Sequence, residues 1–150
     1  MSFQLLTKAQ LARHVRSHVA VQLYDESGAP AQGTAIYSLS DPRDIRQVRY
    51  VGQTNAPKRR FLQHLNTARL WSPDQTSWWI KSPKLRPLSE WIRELYRDEW
   101  RLPTMIISGW AQTLAAARFA ERSRICECLE SRLQLLNVES EIISRQLLLI

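Results

Sequence analysis

The chain of 150 residues has few of the features that mark several structural classes. Four glycines and seven prolines exclude collagen-like and Gly/Pro-rich chains. The two cysteines, Cys126 and Cys128, are too few for a disulfide framework and lie two apart in a predicted helix, where such neighbours diverge. No apolar run approaches the roughly 20 residues that span a bilayer, and the N-terminal residues do not resemble a secretory signal. These absences predict a soluble cytoplasmic protein without membrane contact.

The positive charge of the chain is concentrated in one segment. The sequence has 21 Lys and Arg against 14 Asp and Glu, and residues 41–70 contain seven of the basic residues and two of the acidic ones. Such clustering is typical of proteins that bind polyanions, most often nucleic acid. A solvated basic face has the same composition, so charge alone leaves both interpretations open.

The length and the 44% hydrophobic content suit one domain with a buried core. Helical spacing of apolar residues from Ala9 to Leu23 predicts a helix, which Gly28 and Pro30 end, within an N-terminal extension. The elements predicted in the main unit are strands at 34–39, 47–53 and 104–108 and helices at 57–68, 87–98 and 113–134. They predict an α/β (α+β) fold, in which helices flank a small three-stranded sheet, mixed or antiparallel.

Two tyrosines and two basic side chains fall on faces that can meet. Alternation places Tyr37 on one face of the first strand, and Val48 and Tyr50 on one face of the second. A hairpin would therefore let the two tyrosines share a face. On the next helix Arg60 and His64 lie four residues apart and project from one side. Taken singly, these side chains are ordinary: strand tyrosines, a solvated arginine and a structural histidine.

The segments Ala35-Ile36-Tyr37 and Tyr50-Val51-Gly52 resemble the paired motifs of the GIY-YIG nuclease family. The similarity continues in order with Arg60, His64, Glu121 and the Leu136-Asn137 pair. It implies a GIY-YIG endonuclease-like domain at 33–138, between an N-terminal helical extension at 1–32 and a C-terminal tail at 139–150. Twelve residues separate the tyrosines, which implies a longer hairpin loop than is usual in the family. Gln53 stands where some members have Lys, which leaves open what activates the second tyrosine.

The resemblance implies a hydrolytic site with one divalent ion. Glu121 would bind a single Mg²⁺ or Mn²⁺, since one carboxylate suffices beside phosphate and water ligands. Tyr50 would act as the general base or orient the attacking water, and Tyr37 would support it by hydrogen bonding. Without the resemblance, Glu121 reads more simply as a surface glutamate beside Arg122 and Arg124.

Three further catalytic positions follow from the same resemblance. Arg60 would clamp the scissile phosphate, for which a planar, permanently charged guanidinium is well suited. His64 would contact the phosphate or pass a proton, with a purely structural role as the alternative. Asn137 would orient a substrate oxygen or cap a turn.

Together, these candidate catalytic residues predict a metal-dependent endonuclease that acts on nucleic acid, with DNA favoured over RNA. Candidates for non-catalytic phosphate contacts are Arg46, Arg49, Lys58, Arg59, Lys81 and Lys84. The alternative is a catalytically inactive nucleic-acid-binding module, or an assembly subunit, on the same scaffold. The N-terminal helix and the aliphatic tail also offer surfaces for packing or for a homodimer.

Overall fold

A computed structural model describes residues 7, 9, 13, 23–25, 33–68, 70 and 86–137. The strands are β1 (Leu23–Asp25), β2 (Thr34–Asp41), β3 (Asp44–Thr54) and β4 (Thr104–Ala111). The helices are α1 (Pro57–Ala68), α2 (Arg86–Glu99) and α3 (Leu114–Glu130). Within the described part of the chain, no helix has the length and apolar character needed to cross a membrane.

The sheet has the strand order β1-β4-β2-β3. Strand β2 pairs antiparallel with β3 on one side and β4 on the other, which confirms a small three-stranded antiparallel sheet with helices around it. The short strand β1 adds a fourth, parallel strand at the edge of β4. Leu23 therefore lies in a strand, and the prediction of a helix reaching this residue is wrong, because a three-residue strand is too short to produce its own periodicity.

The β2–β3 hairpin turns tightly at Pro42 and Arg43. The carboxylate of Asp41 accepts hydrogen bonds from the backbone N–H and the guanidinium of Arg43, which closes the turn. The guanidinium also reaches Glu99 at the end of α2, 3.3 Å away. The predicted long hairpin loop is wrong, because the residues between the two tyrosines extend the paired strands.

A β-bulge in β3 changes which side chains share a face. Leu39 pairs with Tyr50 and Ser40 pairs with Val48, so that Arg49 is an extra residue on β3. Val48 therefore packs with Val51 on the face opposite Tyr50. The prediction that Val48 and Tyr50 share a face is wrong, because strict alternation does not allow for the inserted residue.

Helices cover both faces of the sheet. The tyrosine face packs on α1 and α2 through a large apolar cluster, whose members include Phe61, Leu65 and Ile92. On the opposite face, Ile125 and the buried free thiol of Cys128 pack from α3 against β3. The two tyrosines are thus held between the sheet and α1.

Helix α3 ends earlier than its apolar pattern predicts. Arg132 has a positive φ of 61°, and the N–H groups of Arg132 and Leu133 bond to the carbonyls of Leu129 and Cys128. These bonds form a Schellman cap, in which Leu133 packs back on the helix. The predicted end at residue 134 is wrong because an arginine occupies the position where glycine usually signals the stop.

Gly52 lies directly opposite Tyr37 in the hairpin. A Cβ atom added at Gly52 would lie 2.5 Å from the hydroxyl oxygen of Tyr37, whose side chain is fully buried and cannot move aside freely. We expect Gly52→Ala to lower the free energy of unfolding by about 1–3 kcal/mol, as overpacking typically does.

Gly109→Ala is the matched control, because a Cβ atom there would meet no heavy atom within 4 Å. Its free energy of unfolding in urea should change by no more than about 0.5 kcal/mol. Equal losses in the two variants would show that the close approach to Tyr37 is not what requires glycine at position 52.

Candidate active site

The hairpin brings the two tyrosines together on one face of the sheet, as the sequence predicts. Tyr37 is fully buried on β2, and Tyr50 is half-buried on β3. Their ring centroids lie 6.2 Å apart with the planes inclined by 37°. Tyr50 therefore offers the more accessible hydroxyl of the pair.

Helix α1 places His64 against both tyrosines. The helix begins at Pro57, whose missing N–H costs nothing in a first turn, and Thr54 Oγ1 accepts a hydrogen bond from Ala56 just before it. The Tyr37 hydroxyl lies 2.7 Å from His64 Nε2. The ring of Tyr50 meets the imidazole edge-on, with centroids 5.4 Å apart. Because Nε2 is engaged by Tyr37, His64 positions that tyrosine.

Arg60 lies one helical turn before His64, on the side of α1 that faces the tyrosines. Burial lowers the pKa of its guanidinium, but hydrogen bonding and charge attraction to Tyr37 and Tyr50 raise it, and the net shift is upward. Arg60 also donates to the side-chain oxygen of Gln63, 3.3 Å away. A fixed positive charge thus lies against both tyrosine hydroxyls.

Tyr37 and His64 are both held in their neutral forms. Burial raises the pKa of Tyr37 well above its ordinary value; repulsion from Tyr50, when that phenol is ionised, and from the carboxylate of Glu121 adds to this, although Arg60 opposes it. Burial, reinforced by the positive charge of Arg60, lowers the pKa of His64 to about 3. Near neutral pH the pair is therefore an uncharged phenol hydrogen-bonded to an uncharged imidazole.

Glu121 reaches the same region from α3. It lies four residues after Ala117 and four before Ile125, both buried, so these three side chains follow one stripe of the helix. Glu121 itself is half-buried, and its charge raises the pKa of Tyr37. The structure thus brings Tyr50, Arg60, His64 and Glu121 within reach of Tyr37, His64 through a hydrogen bond and Glu121 through its charge.

Asn137 extends the edge of β3. Its side-chain oxygen accepts from the N–H of Val51 at 2.9 Å, and its amide nitrogen donates to the carbonyl of Val51 at 2.7 Å. The N–H of Leu136 bonds to the carbonyl of Arg49 at 2.6 Å. Asn137 is buried, and its amide acts as a substitute for a strand partner next to Tyr50. Asn137 therefore supports the site from the outer edge of β3, where it binds the backbone of the strand.

The candidate phosphate-binding residues do not form one surface. Lys58 and Arg59 are exposed at the start of α1, beside Arg60. Arg49 is half-buried, and its guanidinium lies 5.8 Å from the ring centroid of Trp91, a contact across 42 positions that no local pattern signals. Arg46 is ion-paired with Asp44. Lys81 and Lys84 lie outside the described residues.

Arg46 faces a different part of the molecule. It lines a cavity of about 670 Å³ together with Val48 and Arg124, on the face of the sheet opposite the tyrosines. The basic segment at residues 41–70 is therefore divided between the two faces, and its acidic members neutralise part of its charge through Asp41–Arg43 and Asp44–Arg46 pairs.

The side chains present suit a hydrated Mg²⁺ better than a fully protein-enclosed ion. Among the described residues, no group of three or more His, Cys, Asp or Glu could enclose a metal. Mg²⁺ keeps several waters and commonly takes one or two carboxylates together with substrate phosphate. Glu121, half-buried and electrostatically coupled to Tyr37, fits that donor set.

No family model matches this chain, and neither a characterised protein nor a solved structure is significantly similar to it. The chemistry of the site must therefore be argued from its own residues.

The pKa of His64 makes the stability of the protein depend on pH. An unfolded chain protonates this histidine near pH 6.5, whereas the folded protein resists protonation down to about pH 3. Between these values the unfolded state binds more protons, so stability is complete above about pH 6.5 and falls as the pH decreases. We expect a loss from this group of about 2 kcal/mol between pH 6.5 and 4.5.

The matched variant is His64→Gln, which keeps a hydrogen-bonding side chain but does not titrate. Urea unfolding of both proteins across this range isolates the contribution of His64, because all carboxylates are common to the two. Parallel pH profiles would mean that His64 accepts a proton in the folded state.

Proposed function

We propose that this protein is a metal-dependent endonuclease of the GIY-YIG type, which hydrolyses phosphodiester bonds of nucleic acid. The observation that carries the proposal is one cluster: the guanidinium of Arg60 lies against two tyrosine hydroxyls, and the carboxylate of Glu121 is near enough to Tyr37 for its charge to raise the pKa of that tyrosine. The order of these residues along the chain also resembles that family.

Arg60 is the residue proposed to bind the scissile phosphate. Its guanidinium is partly withdrawn from water, which strengthens its attraction for an anion. It is held by Tyr37, Tyr50 and Gln63, so little side-chain freedom remains to be lost on binding. A charge fixed in this way stabilises the negative charge that develops on the phosphoryl oxygens.

Tyr50 is the residue proposed to orient the attacking water and to take up its proton. Of the two tyrosines it is the partly accessible one, and the positive charge of Arg60 beside it stabilises an anionic oxygen. Gln53, which stands where some family members have Lys, lies on the other side of β3 by alternation. The positive charge next to Tyr50 is therefore supplied by Arg60 on α1. Tyr37 remains a neutral phenol that positions the site.

His64 has the role of a neutral partner in this proposal. Its low pKa means that it carries no charge near neutral pH, so it does not compete with Arg60 for the phosphate. The Tyr37 oxygen can accept from Arg60 while its O–H donates to His64 Nε2, which satisfies all three groups. The hydrogen bond thereby fixes the orientation of Tyr37 relative to Arg60.

Glu121 would hold one Mg²⁺ or Mn²⁺ ion, which when bound polarises the phosphoryl oxygens and stabilises the leaving oxygen. The carboxylate is placed on the stripe of α3 that faces the sheet, and Ala117 and Ile125 fix the helix there. A protein that only bound nucleic acid would gain nothing from a carboxylate beside its cationic residue, since the carboxylate repels phosphate.

The decisive experiment is incubation with single- and double-stranded DNA and RNA, with Mg²⁺ or with EDTA. We expect cleavage with Mg²⁺ only. Glu121→Gln should lower the single-turnover rate by about 100-fold or more, as loss of transition-state stabilisation does, with binding in EDTA unchanged or tighter.

Glu127→Gln is the control, because Glu127 is an exposed carboxylate on the same helix, paired with Arg124. It should cleave at the wild-type rate. Full activity in Glu121→Gln would overturn the metal site. Binding of nucleic acid without cleavage under any condition would favour the inactive binding module.

A second comparison separates catalysis from binding on α1. Arg59 is exposed to solvent, whereas Arg60 contacts both tyrosines. Arg59→Ala should weaken binding modestly, while Arg60→Ala should lower the single-turnover rate by about 100-fold or more. Arg60→Lys should not restore the rate, because an ammonium group lacks the planar fork. Equal losses at the two arginines would show that α1 contributes only charge.

A further inference from the structure

Two exposed side chains precede Glu121 on the same side of α3. Leu114 lies seven residues before Glu121 and Arg118 lies three before it. With about 100° of rotation per residue, Leu114 is about 20° from Glu121 around the helix axis and Arg118 about 60°. Leu114 is 59% exposed although it continues the stripe that is buried at Ala117. The first turn of α3 therefore carries this stripe into solvent.

The stripe leads away from the candidate active site. At 1.5 Å per residue, Arg118 is displaced along the helix by about 4.5 Å from Glu121, and Leu114 by about 10.5 Å. The phosphates of one nucleic-acid strand recur about every 3.4 Å along the helix axis. A strand whose scissile phosphate lies between Arg60 and Glu121 and that follows α3 would pass Arg118 first and Leu114 next.

The charge of Arg118 suits such a strand. Arg118 is exposed, and within the described residues it takes part in none of the ion pairs. Arg124 on the same helix differs in this respect, since it is paired with Glu127. An exposed cation beside an exposed leucine matches a sugar–phosphate backbone, which presents a charge followed by an apolar surface.

Phe119 is more exposed than Leu114, at 76%, but it is not part of this surface. It follows Arg118 directly and lies about 160° from Glu121 around the helix, on the side turned away from the site. Substitution of Phe119 is therefore a control: it removes an exposed apolar side chain at a position that does not face the site.

We propose that Leu114 and Arg118 form a substrate-contact surface next to the cut. Arg118 binds a phosphate adjacent to the scissile one, and Leu114 packs against the sugar or base beyond it. The inference rests on the proposed function, and it assigns to α3 the direction in which the substrate strand leaves the site.

The test measures, in EDTA, the binding constants of protein variants for a substrate whose cut site has been mapped. In a series of substrates, a neutral methylphosphonate replaces one phosphate at a time at the positions that flank the scissile phosphate. Arg118→Ala should weaken binding of the unmodified strand about five-fold, the size of a single exposed charge contact. It should also reduce the slope of log K against log salt by about 0.7–0.9.

The signature of a direct contact is non-additivity. At one flanking position the methylphosphonate should weaken binding by the wild type and have no further effect on Arg118→Ala. Arg132→Asn is the charge-matched control at the other end of α3, because asparagine tolerates the positive φ of that position. It should retain the full methylphosphonate penalty. Leu114→Ala should weaken binding, and Phe119→Ala should not.

The outcomes distinguish this inference from the proposed function. Additive binding penalties at every methylphosphonate position would overturn the substrate-contact surface, and so would an Arg118→Ala variant that behaves like Arg132→Asn. In either case a Glu121→Gln variant without activity would still support the nuclease. Cleavage by Glu121→Gln at the wild-type rate would overturn the nuclease itself.

Discussion

The hydrogen bond between the Tyr37 hydroxyl and His64 Nε2 is the interaction on which the candidate site depends. It lies inside the apolar cluster between the sheet and α1, where burial keeps both groups neutral. A polar pair in such surroundings is stabilising only while both members are bonded, so it fixes the position of α1 relative to the hairpin. Gly52 leaves the space that the tyrosine ring fills, and Arg60 is carried to the tyrosines by the same helix.

Local patterns predicted most of the elements, and the errors have a common cause. The helix at 57–68 and the pairing of the tyrosines on one face followed from spacing alone. The face of Val48 and the length of the hairpin loop depended on a bulge at Arg49 and a two-residue turn. Both are decided by hydrogen bonds between strands, which the order of residues along one strand does not display.

The sequence predicts those parts of the candidate site that lie within one element, and it does not predict those that depend on contacts between elements. Arg60 and His64 are neighbours on one helix, so their shared face was readable from the sequence. Asn137 is different, because its two bonds to Val51 join positions 86 residues apart. Arg46 lies close to the other basic residues along the sequence, although β3 carries it to the opposite face. The contacts that a residue makes with other helices and strands depend on packing, which only the folded chain defines.

In the function proposed for this protein, nucleic acid binds on the tyrosine face with its scissile phosphate between Arg60 and Glu121. The decisive measurement is a crystal structure of the protein with an oligonucleotide and with Ca²⁺ in place of Mg²⁺. We expect a phosphate against the guanidinium of Arg60 and an ion bound to the carboxylate of Glu121. An oligonucleotide bound at the opposite face, along Arg46 and Arg124, with Tyr50 and Glu121 untouched, would contradict it.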